Sequence, residues 1–301
     1  MAGLIATGDK LKLISLIAAA GVPAIQATSF AQPKWVPQMA DAAEIASALD
    51  RFQDVCFSAL APNLKGYQRA VAAGLRRVDF VLSASASFNR KNLNASIAES
   101  LEMLAEVTQG AKRDGVDLRV DISTSFHCPF EGRVTAEAVV RVVRAVHQCG
   151  VERVALDDTD GMAFPDQVQN AVAAIRDQLG LEPNSLILHL HDTYGRGLVN
   201  AAAALEEGVR AFDASTGGLG GCPFSPGSSG NLATEDLVAL LEGLDYSTGV
   251  DQEKLLDAAE FAVRLSSRPY QGHLLRVRRP LALLPPAGTR MTEQGSDLIC
   301  P

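Results

Sequence analysis

Residues 185–215, SLILHLHDTYGRGLVNAAAALEEGVRAFDAS, decide the fold. The opening run, 185–191, is apolar, short and rich in branched side chains, which reads as a buried strand. Residues 196–207 carry apolar side chains on a helical period, and Gly208 stops them. Residues 209–215 then read as a second strand. A strand, a helix and a strand in this order make a βαβ unit, whose two strands run parallel.

The same alternation extends outward from this unit. Upstream, helices are expected near 8–20, 40–50, 65–74, 94–114, 134–149 and 165–179. Strands fall between them at 22–28, 54–60, 77–83, 117–124 and 152–157, and a last helix follows at 233–243. No Gly-x-Gly-x-x-Gly turn follows any strand, which argues against a dinucleotide-binding fold. A (β/α)8 TIM barrel fits best, but closure needs eight strands and the chain supplies seven, opening on a helix. The expectation is an incomplete barrel over 1–264 with its first strand missing. Residues 265–301, with Pro269, Pro280, Pro285 and Pro286, read as an irregular tail.

The 301 residues are 47% hydrophobic and 21% charged, enough to fill a large core. A formal charge of −8 excludes the clustered basic footprint of a nucleic-acid binder. The longest apolar runs are too short for a membrane span. Lys10, Lys12 and the apolar stretch after them resemble a signal peptide, but Asp9 and the spacing of Leu13, Ile14, Leu16 and Ile17 suit an amphipathic helix. Five cysteines at wide spacing, with no Cys-x-x-Cys pair, read as reduced thiols in a cytoplasmic protein, Cys56 and Cys149 among the buried ones.

Barrel chemistry sits at the carboxyl ends of the strands. There, His189 and His191 alternate with Leu188 and Leu190, so both imidazoles face one side and offer a metal-binding edge. The stretch 215–231, STGGLGGCPFSPGSSGN, is a long glycine-rich loop of the kind that closes over a site, and Cys222 within it is a candidate reactive thiol. Asn231 reads as the cap of the following helix. Asp157, Asp158 and Asp160 end another strand, either as acid–base groups or as a loop with side-chain turns. The polar segment 83–92 reads as a loop able to meet an anionic substrate, through Asn89, Lys91 and Asn92.

The stretch from His189 to Val250, with its GLGGCP loop and downstream GNLATED, closely resembles the 3-hydroxy-3-methylglutaryl-CoA lyase family. Thr28-Ser29-Phe30, the run Pro33-Lys34-Trp35-Val36-Pro37-Gln38 and Asn63-Leu64-Lys65-Gly66 match in order and spacing, so the similarity spans about residues 5–265. The resemblance implies Mg2+ or Mn2+ at the barrel mouth, held by His189, His191 and Asn231, which changes the cap reading of Asn231. It implies cleavage of 3-hydroxy-3-methylglutaryl-CoA, or a related 3-hydroxyacyl-CoA, to acetyl-CoA and acetoacetate or a related oxo acid, a step of leucine degradation and ketone-body metabolism. It also implies catalytic roles for Cys222, Asp158 and Arg119, substrate contact at Thr159, and a homodimer.

The chain departs from the family at telling places. The family's first strand carries an Arg-Asp-Gly motif, whose Arg stabilises the enolate and whose Asp binds the metal, and this chain has none. Gln26 replaces a usual Glu, Asp121 a usual aromatic, Asp157 a glycine and Asp160 an apolar residue. A metal site without its carboxylate should hold Mg2+ weakly. The expectations are that the working protein is longer by one strand, and that the 301 residues as they stand show little lyase activity. The alternative is a barrel that binds acyl-CoA or an active partner subunit without catalysis. A metal-dependent hydrolase ranks lower, because the His pair lies on the penultimate strand.

Overall fold

Side-chain alternation along seven parallel strands builds the molecule. The computed structural model describes residues 4–52, 54–220, 230–266 and 272–280. In chain order these hold α1 (Thr7–Ala19), β1 (Ala24–Ser29), α2 (Ala42–Ser47), β2 (Cys56–Leu60), α3 (Leu64–Ala72), β3 (Arg77–Ser83), α4 (Ala86–Leu93), α5 (Ile97–Asp114) and β4 (Asp117–Ser123). They continue with a small hairpin, β5 (His127–Cys128) and β6 (Gly132–Arg133), then α6 (Ala136–Gln148), β7 (Arg153–Asp157), α7 (Pro165–Leu179), β8 (Leu186–His189), α8 (Gly197–Glu206) and β9 (Ala211–Asp213). α9 (Thr234–Gly243), α10 (Gln252–Leu265) and α11 (Leu274–Arg278) close the series.

The main sheet runs β1-β2-β3-β4-β7-β8-β9, every pair parallel. This is the seven-stranded incomplete barrel read from the sequence. Among the described residues neither β1 nor β9 has a partner on its outer side. The central strands β3 and β4 are buried almost throughout, whereas β1 and β9 are partly exposed.

One face of each central strand packs under the helices. Val78, Phe80 and Leu82 of β3, Leu118, Val120 and Ile122 of β4, and Val154 and Leu156 of β7 all lie in the main core. The other face is polar. Register aligns Asp79 with Arg119, Val81 with Asp121 and Ala155, and Asp157 with His189 and Asp213. A barrel interior is ordinarily filled by layers of branched aliphatic side chains; this one carries carboxylates, a guanidinium and an imidazole.

Three features differ from the sequence reading. The segment 83–92 is not a loop: Ser85 caps α4, its hydroxyl accepting from the Phe88 amide at 3.1 Å. The expected helix 94–114 therefore begins only at Ile97, after a Ser96–Glu99 capping box. The part of the expected tail that is described is ordered too. Leu275 of α11 is fully buried against Leu256 and Ala259 of α10, a helix without a strand before it to announce it. Among the described residues, Cys56 and Cys149 are half-buried free thiols and Cys128 is fully buried.

Asp236 fastens α11 to the barrel. Its carboxylate accepts from the His273 and Leu274 amides at 2.6 and 2.7 Å while only 6% exposed. Asp236→Ala removes both acceptors, so it should cost about 1–3 kcal/mol in urea unfolding. Proteolysis between α10 and α11 should accelerate with it; unchanged stability and cleavage would show that α11 is held by Leu275 alone.

Candidate active site

The mouth of the barrel is assembled from the ends of β3, β4, β7, β8 and β9. Backbone pairing continues past the strand ends: Ala84 donates to Ser123, Ser125 to Asp157, and Asp158 to His189, at 2.8–3.0 Å. Thr124 holds φ +54°, a costly value for a β-branched residue. It is kept there by its amide on Thr159 Oγ1 at 2.7 Å and by its hydroxyl against Ser83 Oγ at 2.6 Å. Gly161, at φ +71°, has no room for a side chain, because a β-carbon would collide with Thr193.

His189 and His191 lie on one side of the mouth, their ring centroids 5.4 Å apart, as strand alternation predicts. β8 itself ends at His189; His191 follows in an isolated bridge with Asn231. Asn231 is not a helix cap, since α9 starts from Ala233 without a side-chain cap. Its Nδ2 donates to the Leu219 carbonyl at 2.8 Å, and a side chain at Gly220 would collide with that amide. Asn231 Oδ1 and His191 Nδ1 are both buried with no hydrogen-bond partner. A buried polar atom left unpaired costs roughly 1–3 kcal/mol, and a cation between these donors would satisfy both.

The two imidazoles differ electrostatically. Burial lowers His191 to about 3, helped by the neighbouring His189, so it is neutral and has a lone pair to give. Burial also pulls His189 down, but the hydrogen bond to Asp213 and the charges of Asp157, Asp213 and Asp121 prevail and hold it at about 9. His189 Nδ1 meets Asp213 Oδ2 at 3.4 Å, which leaves Nε2 for a ligand. The donor set of two imidazoles and an amide oxygen thus suits a divalent cation. Among the described residues no third His, Cys, Asp or Glu joins them to complete a metal group.

Arg119 lies below this edge, inside the barrel. Its Nε meets Asp121 Oδ1 at 2.6 Å, its Nη1 meets Asp213 Oδ1 at 3.1 Å, and its Nη2 bonds Asp213 Oδ2. Burial raises Asp121 to about 8 despite Arg119, because Asp157, Asp79 and Asp213 stand close by. Burial and the same crowding raise Asp157 to about 6, against His189 and Arg119. Asp213 runs the other way: burial raises it, but His189 and Arg119 together hold it well below the usual carboxylate range.

The other expected residues divide. Asp158 is 1% exposed; Oδ1 accepts from the Ala163 amide at 3.1 Å, Oδ2 has no partner, and burial pushes the group up to about 7. Thr159 points its hydroxyl at Thr124. Asn89 is fully buried and all spent on the fold, accepting from the Ser83 amide at 2.9 Å and donating to Ala95 and Ser100. Lys91 is exposed, its ammonium 4.4 Å from the Phe130 ring, and Asn92 is half-buried on the same helix. Cys222 lies outside the described residues. Two groups escaped sequence reading: Asp213, which the strand-end position of β9 could have flagged, and His127, whose Nδ1 meets Asp160 Oδ2 at 2.6 Å.

Comparison with known proteins adds to this geometry. The HMGL-like family model matches residues 4–262. A mitochondrial hydroxymethylglutaryl-CoA lyase of Bos taurus is 42% identical over 265 residues, covering 88% of this chain and 81% of that protein. The crystal structure of the HMG-CoA lyase of Bacillus subtilis superposes with a TM-score of 0.86 at 40% identity, over 91% of this chain and 92% of the other. An HMG-CoA lyase of A. baumannii, in complex with coenzyme A and 3-methylmalate, superposes at 0.87 with 36% identity, over 94% and 92%.

Cation binding should be pH-linked. His189, protonated below about 9, must lose its proton to become a ligand. Mn2+ affinity, measured by calorimetry, should rise up to about tenfold per pH unit from 7 towards 9, with close to one proton released at pH 7. A flat profile without proton release would exclude His189 as a ligand.

Proposed function

The chain belongs to the HMGL-like family, and on that premise we propose that it is an acyl-CoA carbon–carbon lyase acting on 3-hydroxy-3-methylglutaryl-CoA or a close 3-hydroxyacyl-CoA, with acetyl-CoA and acetoacetate or a related oxo acid as products. The observation that carries the reading is the mouth itself, where His189, His191 and Asn231 converge and two of their buried atoms lack partners. These three residues would hold Mg2+ or Mn2+. The chemistry such a cation supplies is Lewis acidity toward the substrate's 3-hydroxyl oxygen.

The chain's own residues account for the rest of the arrangement. Asp213 orients His189 and, with Asp121, fixes Arg119. Asp158, buried and raised to about 7, lies one backbone hydrogen bond from His189 and can carry a proton near neutral pH. Thr159 and the rim hydrogen bonds keep that loop rigid. Asn92, Lys91 and Thr159 remain the proposed substrate contacts, with Cys222 the proposed proton donor to the leaving enolate. The same reading includes cytoplasmic residence and a homodimer. Among the described residues no helix is long and apolar enough to cross a membrane.

A second reading, an acyl-CoA-binding barrel without turnover, is favoured by one specific observation. Arg119 is clamped between two carboxylates rather than free to meet an anionic intermediate.

Acetyl-CoA release from 3-hydroxy-3-methylglutaryl-CoA, followed with Mg2+ and with a chelator, separates the two. A slow, metal-dependent rate is expected from these 301 residues, lost by at least about a hundredfold in His191→Ala. Tight binding with no cleavage would establish the second reading. Turnover retained in His191→Ala would reject the metal assignment.

A further inference from the structure

His127 and Asp160 form a pair that neither the metal edge nor the buried charges use. They come from different elements, His127 from the first strand of the hairpin after β4 and Asp160 from the loop after β7. Nδ1 of the imidazole meets Asp160 Oδ2 at 2.6 Å, a short charge-assisted contact. The Asp160 side chain is 6% exposed and that of His127 25%. A buried carboxylate thus fixes a reachable imidazole, and with Nδ1 taken, Nε2 is the nitrogen left for a ligand.

The pair is held from both sides. Asp160 Oδ1 also accepts from the Met162 amide at 3.3 Å. On the hairpin, Cys128 Sγ lies 3.0 Å from Ser85 Oγ, and Glu131 Oε1 accepts from the Ser87 amide at 2.6 Å, which ties the hairpin to the start of α4. Gln167 of α7 donates to the Phe126 carbonyl at 3.1 Å, just before His127. This rim is joined to the proposed metal edge through the chain. Asp160 lies two residues beyond Asp158, whose amide bonds the His189 carbonyl.

Of the interior acids, Asp213 bonds Arg119 and His189, Asp121 bonds Arg119, and Asp79 bonds Gln26 and Ser58. Asp157 and Asp158 each keep one unpartnered oxygen but are only 9% and 1% exposed, whereas the His127 side chain is 25% exposed. We propose that the His127–Asp160 pair is the acid–base dyad of this mouth, His127 Nε2 exchanging the proton of the substrate's 3-hydroxyl, an inference that rests on the lyase reading above. In the cleavage direction Nε2 takes that proton. The O–H electron pair becomes the second bond of the new carbonyl, and the broken carbon–carbon pair passes to the thioester as its enolate. One proton then returns to the enolate carbon from a mouth acid, so none is consumed overall.

Two measurements test this on the full chain. First, 15N NMR of the His127 ring is followed with a chelator present, so that the substrate binds without turning over. The Nε2 resonance should move on adding 3-hydroxy-3-methylglutaryl-CoA but not acetyl-CoA, which has no 3-hydroxyl. Asp160→Asn should disturb the ring's tautomer and weaken that response. Second, in the metal-loaded chain, His127→Ala should lower kcat about a hundredfold with KM changed less than threefold, and added imidazole should restore part of the rate.

A resonance that moves equally with both thioesters, or with neither while calorimetry shows binding, overturns the dyad and leaves the lyase reading standing. A kcat unchanged in His127→Ala does the same. Should neither turnover nor binding of 3-hydroxy-3-methylglutaryl-CoA be found in the unaltered chain, both fall. Should His127→Ala unfold, His127→Gln keeps the volume and the same comparisons apply.

Discussion

The guanidinium of Arg119 is the interaction on which the interior depends. Strand alternation turns Asp79, Asp121, Asp157 and Asp213 toward the same space, and four carboxylates in a dry interior would repel one another strongly. Arg119 pairs directly with Asp121 and Asp213, and protonated His189, which also meets Asp213, offsets the charge of Asp157. Even with this cation in place, burial and the neighbouring carboxylates hold Asp121 and Asp157 above their ordinary range, and removing it would raise them further. The same clamp determines what Arg119 can do, because a guanidinium shared between two carboxylates has little positive field left for a substrate anion.

The departures from the family pattern acquire a physical logic here. Gln26 donates its amide to Asp79 Oδ2 at 2.7 Å, where Ser58 also donates. A glutamate at 26 would set a second carboxylate against a fully buried one, so the amide suits this interior better. Asp121 and Asp157 bring the charges that occupy Arg119 and His189. Asp160 brings the partner of His127. Gln26, Asp121 and Asp157 thus meet in one interior, while Asp160 acts at the rim.

The rim supplies rigidity where the sheet is open. β1 and β9 flank the sheet without outer partners among the described residues, yet the mouth between β3 and β8 is laced by backbone bonds beyond the strand ends. Thr124 sits at positive φ within this lacing, and strain of this kind persists only where neighbours fix it. His189, bonded through its carbonyl to Asp158, and the His127–Asp160 pair both hang from that stretch, so their geometry does not rely on the open flank.

The sequence by itself determined the parallel order of strands and helices, because hydrophobic period and glycine stops are local signals. It also determined that His189 and His191 share a face, since strand alternation has a period of two. The resemblance named Asn231 as a ligand where local reading made it a cap, and the bridge to His191 shows why the local reading failed: the cap position is Ala233, two residues later. What only the tertiary structure decided are the pairings between distant segments. Arg119 with Asp213, Gln26 with Asp79 and His127 with Asp160 lie 94, 53 and 33 residues apart. Asn89, polar and near a strand end, looked like a substrate contact until the fold enclosed it. Local periodicity tells which way a side chain points along its own strand, but its partner is set by the register between strands, and that register exists only once the sheet has formed.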